Sequence, residues 1–297
     1  MLAQALYKNA LQCSEHPVQT TPRNDGESAQ LIVSDAVSTS SNETTNPLAA
    51  GSLAGKRVLV TGSSRGIGAD TISYFAGAGA RVVINYRNKE ARALKLVAAL
   101  EAQGAEAFAV GADLTEAESV AGMVETIGEK LGGLDILVLN ASGGMESGMA
   151  ADYAMQLNRD AQVNFLTAML PLLGPGSRVV FVTSHQAHFI KTVETMPEYL
   201  PVALSKRAGE DALRDLIPQL TDAGIEFVVV SGDMIEGTIT ATLLQRANPG
   251  AIEARKEAAG RLYNVGEFAA EVALAAVEEL PENNTRYVGD VTDFLKA

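Results

Sequence analysis

Between residues 61 and 68 the chain reads Thr-Gly-Ser-Ser-Arg-Gly-Ile-Gly, placing three glycines inside one short turn. Gly62 permits a tight bend, Gly66 lets backbone approach a pyrophosphate, and Gly68 allows a helix to pack closely on a strand. The free N–H groups at that helix start then face anionic oxygens. Ser64, Arg65 and Ile67 belong to the same binding turn. Asn85-Tyr86-Arg87 closes a second apolar run, at the point where a fold that binds an unphosphorylated ribose carries Asp or Glu. Two cations, Arg65 and Arg87, and no carboxylate point instead to a 2′-phosphate, and so to NADP(H).

These residues need elements that bring them together. RVLVT at 57–61 is a short apolar run, and 67–78 reads as a helix closed by Gly79, so the glycine turn lies between a strand and a helix. RVVINY at 81–86, a helix over 89–102 and EAFAVG at 106–111 extend the alternation. The unit then repeats, with helix 115–131, strand 134–140, a mostly helical span 151–173, strand 178–183, helix 201–223, strand 225–231 and a short strand at 286–289. Continuous Val/Ile/Leu strands separated by helices predict a single doubly wound Rossmann-like α/β domain, with about seven parallel strands and helices on both faces.

Composition sets the limits. The 297 residues include 36 acidic and 23 basic ones, a net charge of −13, with the cations scattered, so nothing marks a nucleic-acid surface. No run reaches the roughly 18–20 apolar residues of a membrane span, and the start lacks the features of an export signal, so a cytoplasmic location is expected. The single cysteine, Cys13, supports neither a disulfide nor a cysteine-based metal site, and no metal is expected. Residues 1–52, rich in Ser, Thr, Asn and Asp, read as a disordered low-complexity tail before a domain at 53–297, with a transit peptide or docking segment as alternatives. A chain starting near Ser52 is expected to fold and bind cofactor with little change.

The TGxxxGxG spacing resembles the short-chain dehydrogenase/reductase family, in particular its 3-oxoacyl-carrier-protein-reductase-like members, over residues 56–297. The resemblance implies that Asp113, followed by Leu114, contacts the adenine and that Asn140 and Ala141 form the turn closing the fourth strand. It implies too that Asn164 interrupts a helix and holds a water in a proton relay. Ser184 would polarise the substrate, and Lys206 would bind the ribose and lower the pKa of a catalytic tyrosine. Gly232 and Thr238 fall where the family places nicotinamide-side contacts, with Thr238 two residues farther along than usual. The resemblance also implies a homodimer or homotetramer, joined through the helices that carry the Asn164 and Lys206 positions.

One departure bears on the chemistry. The family's YxxxK puts tyrosine at 202, but this chain reads Val202-Ala-Leu-Ser-Lys206. The stretch from Ser184 to Lys206 is about five residues longer than usual, and Tyr199 precedes the lysine by seven, a spacing similar to that of enoyl reductases. Tyr199 is therefore the replacement candidate, and His185 and His188 are the other groups nearby able to move a proton. Reduction of a carbonyl to an alcohol, or its reverse, needs a hydrogen-bond donor to the oxygen and an acid. The alternatives are an enoyl-type reductase, with Tyr199 stabilising an enolate, and a catalytically silent NADP(H)-binding sensor or scaffold. Walls at 142–149, 188–200 and 234–262 are Met-rich and mildly acidic, favouring a neutral small-molecule substrate.

Overall fold

The computed structural model describes residues 45–145, 148–150 and 152–296. Residues 1–44 of the expected tail, with Cys13, lie outside the described residues. Strand β1 (Arg57–Val60), helix α1 (Gly66–Gly77), β2 (Arg81–Tyr86), α2 (Glu90–Glu101) and β3 (Ala107–Gly111) form the first half. Helix α3 (Ala117–Leu131) and β4 (Leu134–Leu139) open the second, followed by α4 (Tyr153–Met155), a π-helical turn (Gln156–Asp160) and α5 (Ala161–Met169). Next come β5 (Leu173–Ser184), α6 (His185–His188), α7 (Leu200–Arg214), α8 (Ile217–Asp222) and β6 (Glu226–Gly232). The remainder is β7 (Ile235–Glu236), α9 (Ile239–Ala247), α10 (Ala251–Ala259), β8 (Tyr263–Asn264), α11 (Val265–Ala275), β9 (Thr285–Val288) and α12 (Thr292–Leu295).

Seven strands pair in the order β3-β2-β1-β4-β5-β6-β9, every pairing parallel, which is the expected doubly wound sheet. Successive residues of a strand point to opposite faces. Val58, Val60, Val180 and Val228 enter the core beneath α1 and α11, while Leu59, Leu137, Val179 and Val229 enter the one beneath α3 and α5. Both faces are therefore apolar, which is why the strands read as unbroken hydrophobic runs. The order reverses between β1 and β4, the point where such sheets open a crevice at the carboxyl ends of their strands. A separate two-residue pair, β7 with β8, closes the base of the segment carrying α9 and α10. Among the described residues no helix is long and apolar enough to cross a membrane.

Two expected helices are divided. The one at 201–223 is two, α7 and α8, because Pro218 has no N–H to offer the Arg214 carbonyl and its ring crowds that position. The span 151–173, whose first residue lies outside the described residues, is interrupted by the π-helical turn at Gln156–Asp160.

Packing also begins earlier than the boundary at residue 52. Leu48 is only 6% exposed, Asn46 Nδ2 donates to the Tyr74 carbonyl at 3.0 Å, and the Leu53 N–H donates to the Ala78 carbonyl at 2.9 Å. These contacts cover the C-terminal end of α1. Burying a leucine contributes about 1.5–3 kcal/mol. A chain beginning at Ser52 is therefore expected to melt roughly 4 °C or more below one beginning at Thr45. Equal melting temperatures by calorimetry would remove Leu48 from the core.

Candidate active site

The glycine turn is held from below by side chains. Asn85, 2% exposed, accepts the Gly62 N–H on its Oδ1 at 3.0 Å, and its own N–H donates to Ser63 Oγ at 3.1 Å. The Asn140 amide donates to the Thr61 carbonyl at 2.8 Å, and the Asn140 and Ala141 N–H groups donate to Thr61 Oγ1 at 2.9 and 3.0 Å. Gly62 and Gly66 have φ of 63° and 56°, a conformation that penalises a side chain. At Gly68 the restraint is space, since a Cβ there would lie 2.6 Å from Asn140 Nδ2 and 2.9 Å from the Gly62 carbonyl. The Gly66 Cα, by contrast, has nothing within 4 Å of a Cβ position, so the turn presents bare backbone. The N-cap residue of α1, Arg65, makes no side-chain capping hydrogen bond to the helix. An open, uncapped helix start of this kind fits the pyrophosphate of a dinucleotide.

The turn forms one wall of a cleft of about 630 Å³, lined also by Ser64, Arg65, Ile67, Arg87, Asp113, Leu114, Asn140 and Ala141. Asn85, which stood in the sequence only as a missing carboxylate, is consumed under the turn, while Arg87, Asn88 and Lys89 beyond the strand end line the cleft. Arg87 donates to the Tyr153 hydroxyl and lies 5.7 Å from that ring's centroid. Asp113 accepts from the Thr115 N–H at 3.0 Å and from its hydroxyl at 2.7 Å. In the opposite wall, loop 142–149 contributes Ser142, Gly143 and Met145, while Glu146 and Ser147 lie outside the described residues.

Two expected site residues are elsewhere. Gly232 does not line the cleft: it is where β6 meets α11, and a Cβ would come within 2.4 Å of the Phe268 ring. The residues after it, Asp233, Met234 and Ile235, line the cleft instead, as does Thr238, whose Oγ1 caps α9 by accepting the Ala241 N–H at 3.1 Å. Asn164 is exposed on the outer face of α5 and is absent from the cleft lining. The asparagine inside the helix interruption is Asn158, 2% exposed, which donates to the Gly143 carbonyl and to Ser205 Oγ, both at 2.9 Å. Its backbone carbonyl sits so near Gly209 that a Cβ there would be 2.0 Å away.

At the end of β5, Ser184 Oγ lies 3.1 Å from the Tyr199 hydroxyl. Tyr199 comes immediately before α7, whose second residue is Pro201, and Val202 lies one turn in, packed with Tyr199 in a third apolar cluster beneath α9. Lys206 lines the same cleft. Burial lowers its ammonium to about 8, with Glu210 one turn farther along α7 opposing the shift. The lowering of the tyrosine that the resemblance implied is not found: burial holds the Tyr199 phenol above its ordinary value, opposed by the hydrogen bond with Ser184.

The short chain dehydrogenase family model matches residues 56–248. The chain belongs to that family. Versicolorin reductase 1 of Dothistroma septosporum is 30% identical over 67% of this chain and 76% of its own length. The crystal structure of a short chain dehydrogenase from Burkholderia cenocepacia in complex with NADP is 29% identical, with a TM-score of 0.66 over 80% of this chain and 97% of that one. The angucycline C-6 ketoreductase LanV with bound NADP is 27% identical, with a TM-score of 0.65 over 82% and 96% of the two chains.

In this short-chain dehydrogenase the two histidines after Ser184 face away from the cleft. His185 is wholly buried, with Nδ1 2.8 Å from Ser231 Oγ and its ring edge-on to Phe189, Tyr287 and Phe294. Burial, helped by His188 and Arg255, lowers it to about 3, so it stays neutral. His188 Nδ1 lies 2.9 Å from the buried Glu210 carboxylate, which also meets Arg214 Nε at 2.9 Å. Neither histidine lines the cleft, whereas Tyr199 and Lys206 do.

Proposed function

We propose that this protein is a cytoplasmic NADP(H)-dependent oxidoreductase that reduces a neutral small-molecule ketone to its alcohol, with Tyr199 as the proton donor. The observation that carries the reading is the pair Ser184 Oγ and Tyr199 hydroxyl, 3.1 Å apart at one end of a cleft whose other end is the glycine turn. The names of the angucycline ketoreductase and versicolorin reductase relatives support a carbonyl reductase and leave a 3-oxoacyl thioester as one substrate class among several.

The residues divide the work. The backbone of Gly62–Gly68 with Ser64 and Ile67 would hold the pyrophosphate, Asp113 and Leu114 the adenine side, Asn140, Ala141 and Lys206 the nicotinamide half, and Arg65 and Arg87 the 2′-phosphate. NADPH, when bound, supplies the hydride that the carbonyl carbon accepts. Ser184 Oγ accepts the Ala187 N–H at 3.3 Å, and its own O–H can point at the substrate oxygen. As the C=O π bond breaks, Tyr199 gives its proton to the developing alkoxide, and its raised pKa keeps that proton in place until then. The Asn158 turn braces α7, and with it Lys206, against the wall at Gly143.

NADPH oxidation measured on a panel of ketones and enoyl thioesters tests the reading. Turnover of ketones is expected. Turnover of enoyl thioesters alone would make the protein an enoyl-type reductase, and silence with tight cofactor binding would make it a sensor or scaffold. Cofactor choice is a separate expectation. A charge-assisted hydrogen bond contributes roughly 1.5–3 kcal/mol, so Arg87→Ala or Arg65→Ala should weaken NADPH about tenfold or more and hardly affect NADH. Equal affinity of the unaltered protein for the two cofactors, by calorimetry, would sink that assignment.

Assembly is read from the outer faces of α5 and α7. Leu200 and Leu204, one turn apart on α7, are 40% and 49% exposed, a stripe that pairing with a second copy would cover. A homodimer or homotetramer is expected by sedimentation, and a monomer mass would contradict it.

A further inference from the structure

Beyond Gln186 and Met234 the cleft does not end. Both side chains also line a second cavity of about 330 Å³, within the range of roughly 300–1,000 Å³ that ligand pockets occupy. Its walls come from the stretch before Tyr199, from helix α10 and from α12: Val193, Met196, Ala254, Ala258 and Phe294. The residues common to the two spaces are one glutamine and one methionine, both with flexible, unbranched side chains.

The chamber's polar groups narrow what it can take. Its one cation, Arg255, is already held by three carboxylates: Nε lies 2.9 Å from both Asp233 oxygens, and the guanidinium reaches Asp290 at 3.3 Å and Asp293 at 3.6 Å. An anionic ligand would have to compete with all three. Thr195 Oγ1 is buried behind this wall with no hydrogen-bond partner among the described residues and offers no surface to the chamber, so the chamber presents no free polar side chain there.

We propose that this chamber is a second subsite of the same catalytic cleft. It would receive the far end of an uncharged ketone whose rigid apolar body exceeds one ring. The proposal rests on the carbonyl-reducing reading and adds the size and charge class of the substrate. It gives a role to the residues inserted before Tyr199, since Val193–Met196 form a wall of the chamber and also lead the chain to Tyr199.

The probes are cyclohexanone and a hydroxylated three-ring ketone of the anthrone type. Ala254 and Ala258 are exposed on α10, so Ala254→Trp and Ala258→Trp fill the chamber without entering the core. With protein loaded with NADP+, which has no hydride to give, calorimetry should show the three-ring ketone binding at least tenfold more weakly to either variant. With NADPH, kcat/KM for the three-ring ketone should fall in parallel while that for cyclohexanone stays within twofold. No binding of the three-ring ketone to the NADP+ form, or equal binding to the unaltered protein and Ala254→Trp, overturns the subsite. Binding that follows the expected pattern with neither ketone reduced would uphold the chamber and overturn carbonyl reduction.

Discussion

Tyr199→Phe should lower ketone turnover by roughly 10²-fold or more, the usual contribution of a positioned general acid, while NADPH affinity stays nearly unchanged. The substitution removes one hydroxyl from a buried ring and keeps its packing against Val202 and Met234, so a folding defect is not the expected cause. The pH profile carries a second signature. Lys206, lowered to about 8, keeps its positive charge below that value and loses it above. Cofactor binding and reduction should therefore hold through neutrality and fall as pH rises past about 8, whereas the raised tyrosine adds no loss in that range. Lys206→Ala should lower affinity and turnover together and remove the decline near pH 8. Turnover retained in Tyr199→Phe would pass the proton to water, since both histidines are turned away from the cleft.

Gly209→Ala should be the most damaging glycine-to-alanine change among the described residues. The added Cβ would stand 2.0 Å from the Asn158 carbonyl oxygen, a contact with backbone that no rotamer relieves. Overpacking usually costs about 1–3 kcal/mol, and here α7 must part from the π-helical turn, stretching the Asn158 bonds to Gly143 and Ser205. A loss of about 3 kcal/mol or more is expected in urea unfolding, with weaker NADPH binding because Lys206 lies one turn earlier on the same helix. Gly122→Ala is the control: that helical glycine is exposed with nothing near its Cβ position, so alanine should be neutral or stabilise by up to about 1 kcal/mol. Two variants with the same stability would show that the close approach at Gly209 is absent.

The sheet was legible because strands buried on both faces leave continuous apolar runs, and the glycine turn was legible because backbone approach to phosphate needs glycine at fixed positions. Tyr199 could be singled out because Pro201 marks the helix start and the lysine anchors the count. Choosing between Asn158 and Asn164 was harder. The π-helical turn adds a residue to one turn and shifts the helical phase, so the 3.6-residue period read along the sequence no longer says which asparagine faces inward. Gly232 misled for a different reason: a glycine beside a cleft signals close approach, and the approaching group is the Phe268 ring rather than a ligand. Asn85 gave no signal at all, because a buried amide serving as a strut under a turn has the same sequence appearance as a polar strand end. Leu48 stands among Pro47, Ala49, Ala50 and Gly51 just after a polar stretch, where a lone leucine shows no periodicity.

The β7–β8 pair has consequences for how this enzyme can change. Ile235 pairs with Tyr263 and Glu236 with Asn264, so residues 237–262 leave and re-enter the domain at one point, and Asn264 at once begins α11 through a reciprocal cap with Glu267. The ends of the excursion are fixed independently of what lies between them. Doubling the length of a flexible segment whose ends are already held together adds only about 0.6 kcal/mol of closure entropy. The segment can thus change length where α9 joins α10 while its ends stay held, provided that Ala241 and Leu244 keep their packing against Tyr199 and Arg255 its bonds to Asp233 and Asp290.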